Sequence, residues 1–166
     1  MQTSQVTGWD KTLAGIDRST ARSRHGYYIC YGGIPIAWKS SLQQEIALSS
    51  TESEITGLSY ALRDAIPVMN LLQEMKEKGF PITETTAQLH CKVFEDNSGA
   101  IEIAKTAKFR PRTKHLNNRL FHFRTYVDRG LISIHPIKTT DQPADILTKS
   151  LNEEDFKKHR RVINGW

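Results

Sequence analysis

Apolar and polar positions change period several times along the chain, and each change predicts an element. Val6-Thr7-Gly8-Trp9-Asp10 reads as a first strand, and the polar stretch 15–25 after it reads as a loop. Tyr27–Tyr31 and Ile34–Trp38 are rich in aromatic and β-branched residues. Gly32-Gly33 between them supplies the positive φ that both central residues of a tight hairpin turn require. Glu45–Leu48 reads as a further strand piece. The period then becomes helical: Ile55, Leu58, Leu62 and Ile66 recur at three-to-four spacing, with Ser50 or Thr51 as cap and a glutamate nearby. Pro67 should kink or restart that helix. Val68, Leu71, Leu72 and Met75 carry a second amphipathic stretch up to Gly79 and Pro81.

The run Leu89–Phe94 predicts another strand, followed by Glu95-Asp96-Asn97-Ser98-Gly99 and a helix from about Ser98 to Ala107. Strand, acidic turn, helix is the arrangement that presents side chains at the carboxyl end of a sheet, where α/β folds keep their sites. Leu116, Leu120, Phe123 and Val127 form the next helical face, closed by Gly130. Leu131–Ile137 alternates as a strand, and Asp145–Ser150 and Asn152–Ile163 supply the last helical pieces. The order β-β-β-α-β-α-β-α predicts a mixed α/β domain, and no repeat or low-complexity linker divides it.

Composition narrows this picture. A chain of 166 residues with 38% hydrophobic and 25% charged content has the size and balance of one globular domain, which excludes disorder throughout. Its apolar runs are strand-sized, short of the roughly 20 residues a bilayer needs, so no membrane span is expected, and no leader segment is visible. Cys30 and Cys91 have no ligand-spaced neighbours; they are expected as buried, reduced thiols of an intracellular protein rather than zinc ligands.

Charge adds two candidate chemistries. The net charge is +5, and the positive residues are clustered. Lys105, Lys108, Arg110, Arg112, Lys114 and Arg119 run without an acid, interleaved with Phe109 and His115. Such a run attracts a phosphate backbone, or is simply a solvated surface. Arg18, Arg22, Arg24 and His25 form a second cluster. Lys157, Lys158, Arg160 and Arg161 read as the solvated face of a helix docked through Phe156, Val162 and Ile163. Among the acids, Asp10 closes the first strand, Glu54 lies in the first turns of the long helix, Asp96 ends a strand, and Asp145 opens a helical piece. Carboxylates so placed can converge over one sheet edge and hold hard cations such as Mg²⁺. Spacing alone equally allows a turn residue at Asp10, an N-cap at Asp96 and a helix-dipole partner at Asp145. No glycine-rich phosphate loop and no Gly-x-Ser-x-Gly elbow is present.

Five ordered blocks carry a resemblance. Ala47-Leu48-Ser49-Ser50-Thr51-Glu52-Ser53-Glu54, Glu95-Asp96-Asn97-Ser98-Gly99-Ala100-Ile101, Arg112-Thr113-Lys114-His115, Ala144-Asp145-Ile146-Leu147-Thr148-Lys149 and the hairpin Gly32–Ser40 resemble the ribonuclease H domain of copia-type retrotransposon polyproteins. The likeness runs from about Asp10 to about Leu151. It implies a ribonuclease H-like fold, a five-stranded mixed sheet with helices on both faces, over residues 1–151, with 152–166 as a C-terminal helix packed on or trailing it. It implies hydrolysis of the RNA strand of RNA/DNA hybrids with two Mg²⁺ or Mn²⁺ ions held by Asp10, Glu54, Asp96 and Asp145, and Glu52 as a capping residue. Lys108, Arg110, Arg112, Lys114 and His115 would lie along the hybrid. A reverse transcriptase domain in the parent polyprotein and a cytoplasmic, particle-associated setting rather than a nuclear one follow from the same likeness. The sequence departs from the family where D-A-D-x-A-G becomes Asp10-Lys11-Thr12-Leu13-Ala14-Gly15, keeping the first acid and losing the second. It departs again at Ile55-Thr56, where an aromatic usually follows the second acid. The loop Lys138–Pro143 also lacks the histidine found in cellular ribonucleases H, and His135 lies earlier, on a strand. The alternatives are a catalytically degenerate hybrid-binding module and a structural C-terminal piece of a larger polymerase.

Overall fold

A computed structural model describes residues 16–17, 22–82, 89–106 and 122–164, with only the backbone of 16–17. The expected first strand, including Asp10, and the basic residues Lys108, Arg110, Arg112, Lys114 and His115 lie outside the described residues.

The strands are β1 (Ile16–Asp17), β2 (Arg22–Tyr31), β3 (Ile34–Leu42), β4 (Cys91–Glu95) and β5 (Ile132–Pro136); the helices are α1 (Ser50–Glu77), α2 (Ser98–Lys105), α3 (122–128) and α4 (Glu153–Asn164). The class is mixed α/β. The expected five-stranded mixed sheet is not formed by the described strands, which fall into a three-stranded antiparallel sheet, β1-β2-β3, and a parallel pair, β4-β5. No described strand bridges β2 and β4, and an apolar groove of about 410 Å³ lies there, lined by Ile29, Tyr31, Met69, Cys91 and Phe94 among others.

One core serves both sheets. Tyr27 and Ile29 of β2, Val93 of β4, and Ile132 and Ile134 of β5 pack with Ile55, Leu58 and Leu62 of α1, Ala100 of α2 and Phe123 of α3. Helix α1 is continuous for 28 residues through Pro67, so it does not restart there. Its first turns are buried nearly all round, Ser53 to Ser59 without exception, whereas Pro67 lies on the exposed side.

Other expectations are corrected. Arg22–His25 belong to β2 rather than a loop: alternation buries Ser23 and His25 while the arginines face outward. Glu45–Leu48 forms no strand; Leu48 is 88% exposed, and its N–H goes to the Glu52 carboxylate at 2.8 Å. Cys30 is exposed and Cys91 half-buried, both as free thiols. Helix α4 docks through buried His159, with Phe156 and Val162 exposed, and Lys158 Nζ reaches Asp141 Oδ1 at 2.8 Å. No described helix is long and apolar enough to cross a membrane.

Candidate metal centre

Three elements bring carboxylates to one place. Helix α1 starts at Ser49, whose hydroxyl accepts the Glu52 N–H at 3.1 Å while Glu52 reaches back to Leu48. This reciprocal cap fixes the first turn and sets Glu54 on the side packed against the sheet end, where it is buried. Strand β4 ends at Glu95, and Asp96 follows it. The N-cap of α2 is Asn97, which accepts the Ala100 N–H at 2.9 Å, so the capping alternative for Asp96 is overturned and its carboxylate is not used at the helix terminus. Thr51 Oγ1 meets Asn97 Oδ1 at 3.4 Å, tying the start of α1 to that of α2.

One carboxylate oxygen from each of Glu54, Glu95 and Asp96 lies within 4.8 Å of the other two. Asp145, in the 3-10 turn Pro143–Leu147, is buried near them; its charge acts on Glu54, and it forms an ion pair with Lys149 one turn on. The turn holds it through the Thr148 and Lys149 N–H groups, each 3.0 Å from the Asp145 carbonyl. It lies against β2 at Gly26, where a Cβ would come within 2.6 Å of Thr148 Cγ2 and 2.7 Å of Leu147 Cβ.

Like charges crowded out of water shift their equilibria. Burial first, then Glu95, Asp96 and Asp145, pushes the Glu54 carboxyl well above the ordinary range, and Lys149 opposes them. Burial pushes Glu95 up to about 8; the Asn97 N–H, 3.1 Å from its Oε1, pulls back, and Asp96 adds to the rise. Glu95 Oε2 is buried with no hydrogen-bond partner among the described residues. An oxygen-only donor set with surplus negative charge and an unpartnered carboxylate oxygen fits a hard divalent cation.

Thus Glu54 and Asp96 come together, Asp145 stands in their field, and Asp10 lies outside the described residues. Sequence reasoning passed over Glu95, reading it as the end of a strand; its adjacency to Asp96 and the alternation along β4 were the available signals. It also passed over a basic cleft of about 330 Å³ beside the Asp145 turn, where Arg24 and Ser40 face Thr148, Lys149 and Ser150. His135 hydrogen-bonds Ser133 Oγ at 2.7 Å on β5 and has no place among these acids.

No protein-family model and no solved structure matches the chain. It is 31% identical over 157 residues, 93% of its length, to the "Retrovirus-related Pol polyprotein from transposon TNT 1-94" of Nicotiana tabacum. Identity is 30% over 148 residues to the corresponding polyprotein of transposon RE1, and 30% over 141 residues to that of RE2, both of Arabidopsis thaliana. The matched stretch covers 11%, 10% and 9% of those polyproteins, so the chain spans about a tenth of their length. Over most of its residues, the chain is therefore similar to one short segment of the Pol polyproteins of plant transposons.

Proposed function

We propose that the chain is a metal-dependent ribonuclease H unit of a retrotransposon Pol polyprotein, hydrolysing the RNA strand of RNA/DNA hybrids. The observation that carries this reading is the convergence of Glu54 and Asp96, with Asp145 in their field, from a helix, a strand end and a turn far apart in sequence. The shared core of the two sheets over α1 supports a ribonuclease H-like fold for residues 1–151, with 152–166 as the C-terminal helix. Similarity to plant-transposon Pol polyproteins supports the polyprotein setting, a reverse transcriptase domain as neighbour, and an intracellular location.

Bound among these acids, Mg²⁺ or Mn²⁺ ions would supply Lewis-acid activation of water and charge stabilisation at the leaving oxygen. Asp10, Glu54, Asp96 and Asp145 would hold them. The chain's own task is to keep the carboxylates fixed and dry: the Ser49–Glu52 cap orients Glu54, Asn97 leaves Asp96 free of capping, and the Gly26 contact seats the Asp145 turn. Arg24 and Lys149 in the basic cleft, together with Lys108, Arg110, Arg112, Lys114 and His115, would steady the hybrid's phosphates. Recognition of the RNA strand would rest on its 2′-hydroxyls.

The altered first block, Asp10-Lys11-Thr12, favours a second reading, a hybrid-binding module without cleavage. A labelled RNA/DNA hybrid incubated with the chain, with and without Mg²⁺ or Mn²⁺, separates the two. The nuclease reading expects metal-dependent RNA cleavage, reduced at least a hundredfold in Asp96→Asn. Salt-sensitive binding with no cleavage in any metal would establish the second reading, and full activity in D96N would sink the assignment of Asp96.

A further inference from the structure

Strand alternation gives Glu95 an unusual environment for an acid. Val93 and Glu95 share the buried side of β4, while Phe94 between them is 40% exposed. Glu95 is 0% exposed. Its Oε1 accepts the Asn97 N–H, the Asp96 N–H also favours its charged form, and its Oε2 has no hydrogen-bond partner among the described residues. A carboxylate oxygen removed from water without a partner is costly, and two further carboxylates within 4.8 Å raise the cost. Were the role of Glu95 only to fill space and accept the Asn97 N–H, a neutral glutamine could do so without repelling Glu54 and Asp96. The ammonium of Lys149 is engaged at Asp145 instead.

We propose that Glu95 is itself a cation ligand, supplying a carboxylate oxygen to a divalent ion held between Glu54 and Asp96, in addition to the acids assigned above. The inference rests on the reading of Glu54 and Asp96 as metal-binding residues and deepens it. The donors are all hard oxygens, so the ion is of the Mg²⁺ or Mn²⁺ class. An extra carboxylate makes the site more negative and raises its affinity. The ion in turn gives Oε2 the partner it lacks among the described residues.

The test uses the full chain and Mn²⁺ alone, without nucleic acid. Free Mn²⁺ is followed by electron paramagnetic resonance, beside thermal denaturation, for wild type, Glu95→Gln and Asp96→Asn. The expected result is Mn²⁺ affinity at least tenfold weaker in E95Q, with a smaller Mn²⁺-induced rise in Tm. A second variant reports ligation directly and does not depend on E95Q folding. Glu95→Cys places a soft thiolate at the same position, and titration with Cd²⁺ should produce a thiolate-to-metal charge-transfer absorption beyond that of wild type, whose Cys30 and Cys91 provide the background. Wild-type Mn²⁺ binding in E95Q while D96N loses it would overturn the role of Glu95 and leave the metal centre standing. No added Cd²⁺ band in E95C would overturn it likewise. Wild-type binding in both E95Q and D96N would overturn the metal reading and this proposal together.

Discussion

Lys149 holds the Asp145 carboxylate by an ion pair within one turn of chain, with the acid buried and the lysine a quarter exposed. A tethered ammonium is a standing competitor for any cation that needs the same oxygen, and it also offsets repulsion among the acids while no metal is present. Lys149→Met should therefore lower the stability of the metal-free chain by on the order of 2 kcal/mol, between the values for exposed and buried pairs. It should raise Mn²⁺ affinity at the same time. Thermal denaturation with and without Mn²⁺ checks both signs, and a drop in stability that Mn²⁺ does not restore would remove Lys149 from this role. At this scale the sequence was partly legible. The Ser-Thr-Glu-x-Glu block separated Glu54 from Glu52, and the structure bears out Glu52 as a capping residue. The sequence offered Asp96 as a cap of α2, but Asn97, one position on, takes that part, as the 2.9 Å bond from Ala100 shows. Glu95 was passed over as a strand end, although alternation along β4 places it on the buried side with Val93.

Elements meet at the site through one position that has no side chain. Gly26 of β2 lies under the turn carrying Asp145, and a methyl there would also come within 3.2 Å of the Leu147 backbone. The turn would have to lift. Gly26→Ala should cost about 1–3 kcal/mol in stability, as overpacking does, and weaken Mn²⁺ binding several-fold with every carboxylate still present. Denaturation and the Mn²⁺ titration read the two effects, and wild-type metal affinity in this variant would show that the turn tolerates the shift. Among elements, the hairpin was plain from Gly32-Gly33, where both glycines take positive φ, 58° and 83°. The start of β2 was not, since Ser23 and His25 are polar residues on the buried side, and counting polarity turned a strand into a loop. Glu45–Leu48 failed in the opposite sense, because Ile46 and Leu48 look like strand residues yet stand in solvent. Pro67 shows that a proline need not end a helix: α1 runs on through it to Glu77, with Pro67 itself on the exposed side.

Across the whole molecule, stability in acid turns on another buried polar group. His25 stacks on Tyr60 at 4.4 Å and shares a 2.9 Å hydrogen bond with Ser41 Oγ. Burial first, then Lys39 and Arg24, lowers its pKa to about 4, against the opposing pull of Asp64. The unfolded chain takes up a proton near pH 6.5 that the folded chain refuses until about pH 4. This contribution is therefore intact above pH 6.5 and is lost as pH falls to 4, amounting to about 3 kcal/mol. His25→Phe, which keeps the stack, should remove that part of the acid loss in urea unfolding at pH 7.5 and 4.5; an unchanged difference would exonerate the histidine. The α/β class was legible because the change from period two to period 3.6 survives in the pattern. The expected single sheet was not observed, since the described strands form a three-stranded sheet and a pair.

The bare position at Gly26 bears on how copies of such a segment could lose the proposed metal site. A single-base change from glycine to alanine there would leave every acid of the site in the reading frame while unseating the turn beneath one of them. On the metal-centre reading proposed above, a copy so altered would pass any inventory of intact carboxylates and still hold metal several-fold more weakly, which makes the strand under the turn as informative as the acids above it.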